Sequence, residues 1–202
     1  MPATDETTVI DQTHAERRRL ADLLADLTTD QWAADSLCAG WRVREVVAHM
    51  TMPFRAGRLS FVGGLVRAGF NFNRYADRAA RADTARLSDR ELLASLQDNV
   101  EHGWRPPGGG AAGALSHDVI HGLDITEALG LPAVPPERIA LVLASAGPKA
   151  LAYFGTDLTG RTLRATDADI TLGEGPEVSD LPAKDLLLAV TGRRPLPDVA
   201  TS

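Results

Sequence analysis

Apolar side chains recur three and four positions apart along four stretches of the chain, and this spacing predicts four amphipathic helices. The first helix is predicted over Thr13–Leu27, and the second begins just after Gly40. The third follows Ser88, whose spacing to Glu91 is that of a capping box. The fourth is predicted over Ala112–Leu129. Four such helices predict a helical bundle.

Two connecting segments lack this regularity. The residues Thr28–Trp32 predict a turn. The region Gly57–Leu87 mixes glycines with aromatic residues, so we expect it to be irregular, with one helix over Asn73–Arg81. Neither segment is expected to contribute a bundle helix.

The pattern changes after Pro135, and the rest of the chain is typical of a small α/β unit. A helix over Glu137–Phe154, strands over Thr162–Thr166 and Asp169–Leu172, and a last helix over Ala183–Val190 are predicted. Residues after 195 are expected to be loose. The predicted fold class is therefore mainly α, with a four-helix bundle over residues 1–134 and a small α/β domain over residues 135–202.

Charge and cysteine content indicate which binding partners and which cellular compartment to expect. The 202 residues include 21 Lys and Arg against 27 Asp and Glu, which gives a net charge of −6. An acidic chain without a basic run argues against nucleic acid or an anionic membrane as the main partner. The single cysteine, Cys38, excludes an internal disulfide, and Met1–Thr8 is not typical of a signal peptide. We therefore expect a cytoplasmic protein.

Two histidines carry the first chemical signal. His117 and His121 stand four positions apart on the fourth predicted helix, so their side chains project from one face and have the spacing with which a helix binds one metal ion. Asp124 lies in the same stripe, where it either orients a histidine N–H or merely caps or contacts solvent. Taken alone, such a pair is more often an inconsequential surface pair or a hydrogen-bonded core pair.

A metal site needs a third ligand, and His49 is the natural candidate because it lies at the edge of the apolar face of the second helix. His14 and His102 are weaker candidates, since one lies in a charged stretch and the other beside a Gly-Trp-Arg-Pro break. Three histidines leave one or two coordination positions open, which is typical of a catalytic site. We expect a divalent metal, with zinc as the first choice and nickel as the second.

The segment Ser36–Met50, which reads SLCAGWRVREVVAHM, resembles the signature of the DinB-like metalloproteins whose branch includes the mycothiol-dependent maleylpyruvate isomerases. This resemblance implies a DinB-like four-helix bundle in which His49, His117 and His121 bind the metal and Asp124 follows them. The isomerases have Glu at the position of His117, whereas DinB-like thiol transferases have His. The chain therefore departs toward the transferase pattern.

The resemblance extends to the C-terminal part of the chain. Leu163–Asp167 and Leu186–Arg193 resemble the small C-terminal domain of the isomerase group, in which an arginine contributes to the active site. Arg193 is the nearest match, and the neighbouring Arg194 is the alternative.

The resemblance implies a metal-dependent enzyme that uses mycothiol for thiol transfer to, or isomerisation of, a small electrophilic substrate, with Arg193 pairing a substrate carboxylate. Because the imidazoles must be neutral to bind metal, activity is expected to fall below about pH 6. Cys38 is a weaker candidate nucleophile, since the family's thiol comes from the cofactor. The alternatives are a hydrolase that uses metal-bound hydroxide and a non-catalytic bundle that binds metal or ligand. A homodimer is a further possibility.

Overall fold

The computed structural model describes residues 5–197, and the elements below are those of this part of the chain. Most of them are helices. The helices are α1 (Glu6–Ala25), α2 (Thr29–Ala33), α3 (Val43–Arg55), α4 (Arg58–Arg67), α5 (Phe72–Arg86), α6 (Asp89–Gln97), α7 (Gly110–Leu129), α8 (Pro136–Ala144), α9 (Pro148–Tyr153) and α10 (Ala183–Val190). The strands are β1 (Arg161–Ala165), β2 (Thr171–Leu172) and β3 (Glu177–Leu181).

Helices α1, α3, α6 and α7 form the predicted four-helix bundle. Helix α1 packs against α6 and α7, and α3 packs against the same two helices, so the four close into a ring. Side chains of all four meet in one core, among them Leu24, Val46, Leu92 and Ile125. The fold class predicted from the sequence, a mainly helical bundle with a small α/β unit, is confirmed.

The helix boundaries differ from the sequence predictions for local reasons. Helix α1 begins seven residues earlier than expected, at Glu6, because the Asp5 side chain accepts a hydrogen bond from the Thr7 backbone N–H. The turn predicted at Thr28–Trp32 is instead the short helix α2, which Thr28 starts with a capping box.

The region expected to be irregular contains two helices. The prediction missed α4 because Gly63 and Gly64 lower its helix propensity. Helix α5 is longer than the predicted Asn73–Arg81 and begins where the Asn71 side chain accepts a hydrogen bond from Arg74 N. Helix α5 packs along α3.

The C-terminal part also departs from its prediction in two places. The single helix expected over Glu137–Phe154 is two helices, because Pro148 restricts the preceding residue and begins a new helix, α9. Besides the two expected strands there is a third, β3, which pairs with β1 in parallel, while β2 pairs with β1 antiparallel. The prediction missed β3 because its side chains are exposed or half-buried and show no apolar face.

The C-terminal elements share a core with the bundle. Leu115, Val119 and Leu123 of α7 pack in one cluster with side chains of α8 and α10, such as Leu143 and Leu186. The domain boundary near residue 134 stays a prediction. The expected loose end includes residues 198–202, which lie outside the described residues. No helix in the described part is long and apolar enough to cross a membrane.

Candidate metal centre

The structure brings together the three histidines that the sequence singles out. His49 comes from α3, and His117 and His121 come from α7. One ring nitrogen from each lies within 4.8 Å of the others, and the Nε2 atoms of His49 and His117 are 3.2 Å apart. Two nitrogens that bind one zinc ion tetrahedrally at about 2.0–2.1 Å lie about 3.3 Å from each other. The donor set therefore fits a transition metal.

Helix α7 presents its two histidines to the site because its opposite face is committed to the core. Leu115, Val119 and Leu123 are at most 1% exposed, and this apolar face fixes the rotation of the helix. His49 is almost fully buried beside the Trp41 ring, 5.2 Å away between centroids. The predicted spacing and the predicted apolar faces thus account for the convergence.

A buried carboxylate and a partly exposed arginine hold His121 in place. Its Nδ1 lies 3.0 Å from Asp124 Oδ2, and Asp124 accepts two further hydrogen bonds from Nε and Nη2 of Arg193, each 3.0 Å long. Because an ionised carboxylate only accepts hydrogen bonds, Nδ1 of His121 carries the hydrogen and Nε2 is left with a lone pair for a ligand bond.

A second carboxylate–arginine pair, Asp118 and Arg17, holds His117 in place. The sequence did not predict this pair. The Nδ1 atom of His117 lies 2.9 Å from Asp118 Oδ1, and Arg17 Nε donates to Asp118 Oδ2 over 2.7 Å. The Arg17 and Asp118 side chains are only 1% and 3% exposed. One signal was available, since Arg17 occupies the apolar stripe of α1 together with Leu20 and Leu24, where a charged side chain needs a buried partner.

Burial favours the neutral forms of His49 and His121. It lowers the pKa of His49 well below its ordinary value, and the nearby His121 and His117 lower it further. Burial also lowers the pKa of His121, although the hydrogen bond to Asp124 opposes this shift. Burial opposes ionisation of Asp118 and Asp124, but their hydrogen bonds to histidine and their paired arginines outweigh it and lower both pKa values. Neutral imidazoles and ionised carboxylates are the states that metal binding requires.

The remaining candidates lie outside the cluster of three. The His102 ring packs against Phe54 and its Nδ1 accepts a hydrogen bond from Trp104 N, and His14 belongs to α1 without joining the group. Arg194 is bound at the surface to Asp185 and Glu127, whereas Arg193 reaches Asp124.

An open cleft of about 1060 Å³ adjoins the histidines. Trp104, Phe154 and Arg193 line this cleft. Cys38 lines it as well. Burial, followed by the charge of Asp124, raises the pKa of Cys38 to about 11. The cleft is large enough for two small molecules or one of drug size.

Residues 13–105 match the family model described as the mycothiol maleylpyruvate isomerase N-terminal domain. The matched region contains His49 but ends before His117 and His121. Comparisons with curated proteins and with solved structures found no match.

Proposed function

We propose that the chain, whose residues 13–105 match the model of the mycothiol maleylpyruvate isomerase N-terminal domain, is a metal-dependent enzyme that uses mycothiol to modify a small electrophilic substrate. The observation that carries this proposal is the group of three imidazoles at the wall of an open cleft. Two of them, His117 and His121, have Nδ1 bound to a carboxylate, which leaves Nε2 as the ligand atom.

His49, His117 and His121 would hold the ion, with zinc as the first choice and nickel as the second. A divalent ion with an open position favours the thiolate form of a coordinated thiol at neutral pH. Asp118 and Asp124 keep the two late histidines in one tautomer and one orientation, so the ligand atoms are in place before the ion arrives.

Arg193 is the proposed contact for a substrate carboxylate. A guanidinium has five N–H groups, and Arg193 uses three of them, two toward Asp124 and one toward the Thr191 carbonyl. Two N–H groups remain at the wall of the cleft for the substrate. The same residue therefore anchors Asp124 and offers a docking point.

The nucleophilic thiol is proposed to come from mycothiol rather than from the chain. With a pKa of about 11, Cys38 is almost entirely protonated at neutral pH. Histidine rather than glutamate at position 117 favours thiol transfer over isomerisation. A cytoplasmic location is part of the proposal, because free thiols persist in a reducing compartment. The homodimer stays a prediction.

Elemental analysis of the untagged protein tests the metal centre. We expect close to one transition-metal ion per chain, lost in His117→Ala and retained in His14→Ala, which removes a histidine outside the cluster. Equal metal content in the two variants would refute the site.

Incubation with mycothiol and an electrophile such as maleylpyruvate or monochlorobimane, followed by mass spectrometry, tests the chemistry. A thiol adduct or an isomer that is absent with His117→Ala supports the proposal. A protein that holds metal and yields neither product would contradict it and favour the hydrolase or the non-catalytic bundle.

A further inference from the structure

A second cleft lies away from the candidate metal centre. It has a volume of about 430 Å³ and is bounded by the end of α3 and by α4 and α5. Tyr75, Arg78 and Asp83 of α5 line it, whereas Asn73 and Asp77 of the same helix line the cleft beside the histidines. The two clefts share no lining residue, so the second is a separate feature of the surface.

Positive charge is concentrated around this second cleft. The residues that line it include four arginines and a single acidic side chain, Asp83; the arginines are Arg55, Arg67, Arg78 and Arg86. Residues 55–86 hold seven arginines and two aspartates, a formal charge of +5 in a chain whose net charge is −6. A concave surface of one sign concentrates ligands of the opposite sign.

Among the described residues, two of the four arginines pair with an acidic side chain and two do not. Asp83 binds both Arg55 and Arg86, so its charge is shared between them. The Arg78 guanidinium bonds only to the Arg67 backbone carbonyl, and that of Arg67 bonds to no other described residue. Both side chains are exposed at the cleft. No acidic side chain among the described residues pairs with either guanidinium, so both remain available to an anion.

The cleft wall also contains an aromatic ring, that of Tyr75, packed closely against Gly64 of α4. A Cβ on Gly64 would lie 2.4 Å from Tyr75 Cε2, so the glycine allows the aromatic ring to lie directly on α4. The Ser60 side chain lines the same wall. Arg55 Nε is buried and has no hydrogen-bond partner among the described residues. The cleft thus combines an aromatic surface with polar donors.

We propose that this second cleft binds a small molecule through a phosphoryl group, held by Arg67 and Arg78. A guanidinium can donate two parallel hydrogen bonds to two oxygens of one phosphoryl group. A phosphoryl group also brings up to two negative charges in a small volume, which suits the surplus positive charge of the lining better than a single carboxylate. The inference does not depend on the proposed thiol chemistry, because no residue of the metal centre takes part.

Isothermal titration of the full chain with pyrophosphate at constant ionic strength tests the proposal. We expect saturable binding that weakens at least about tenfold in both Arg67→Gln and Arg78→Gln. Arg74→Gln is the matched control, since it removes the same charge from an exposed position on α5 that does not line the cleft. No saturable binding, or equal loss in all three variants, would overturn the proposal.

A second arm separates a soluble ligand from a lipid headgroup, which carries the same phosphoryl chemistry. The outer face of α4 exposes Leu59, Val62 and Val66 beside the cleft, so contact with lipid is the competing source. Sedimentation with phosphatidylcholine vesicles containing phosphatidic acid is expected to leave the protein in the supernatant. Binding to these vesicles without binding to pyrophosphate would overturn the assignment to a small molecule.

Discussion

Removal of the Asp118 carboxylate tests the brace on His117 most directly. The Arg17 and Asp118 side chains are 1% and 3% exposed, so Asp118→Ala leaves a guanidinium charge buried without its partner. Breaking such a pair from one side costs about 3–5 kcal/mol. For a chain of this size, each kcal/mol corresponds to about 2–4 °C, so we expect the melting temperature to fall by about 6–20 °C.

The exposed pair of Arg164 and Asp180 is the matched control. It joins the same two residue types over 2.8 Å, but both side chains are 53% exposed, so water screens the charges. Urea unfolding is expected to show no resolvable change for Asp180→Ala. Equal losses for Asp118→Ala and Asp180→Ala would refute the reasoning from burial.

Two further variants of the same pair separate electrostatics from metal binding. In the double variant Arg17→Met and Asp118→Leu neither charge of this pair is left buried, and much of the lost stability is expected to return. Asp118→Asn keeps the shape of the side chain but weakens its hold on His117, and we expect metal affinity to fall about 10–100-fold. Unchanged affinity in a folded Asp118→Asn protein would show that the brace does not position the ligand.

Three other predictions concern pH, thiol reactivity and the C-terminal arginines. Burial lowers the pKa of His49, so the unfolded chain takes up a proton near pH 6.5 that the folded chain excludes. The stability of chelator-treated protein in urea should therefore fall from pH 7 to pH 5, less steeply in His49→Ala. Because the pKa of Cys38 is about 11, its alkylation by iodoacetamide should accelerate about tenfold per pH unit between pH 7 and 9; a plateau below pH 9 would contradict this. Arg193→Gln leaves Asp124 buried without its cation and should cost about 3–5 kcal/mol in urea unfolding, whereas a comparable loss in the exposed Arg194→Gln would argue against the assignment.

The elements that could be predicted are those defined by short-range spacing. The separation of His117 and His121 by one helical turn follows from the sequence. The position of His49 at the edge of the apolar face of its helix follows from the sequence as well. The link between Arg17 and Asp118 joins positions 101 residues apart, and no local pattern specifies such a contact. Strand β3 was missed because its side chains are exposed or half-buried and form no apolar face, so no hydrophobic alternation marks it.

Two independent observations meet at the metal centre. The family match covers His49 and Arg17 but stops at residue 105, so it says nothing about the ligands on α7. The geometry brings His117 and His121, the two proposed ligands on α7, to His49, and each of the two contacts a carboxylate that is paired with an arginine. One arginine comes from α1 and the other follows α10, so both ends of the described chain brace the histidines. A bundle without the C-terminal unit would leave the Asp124 carboxylate without its paired arginine, and we therefore expect the complete site to form only in the full chain.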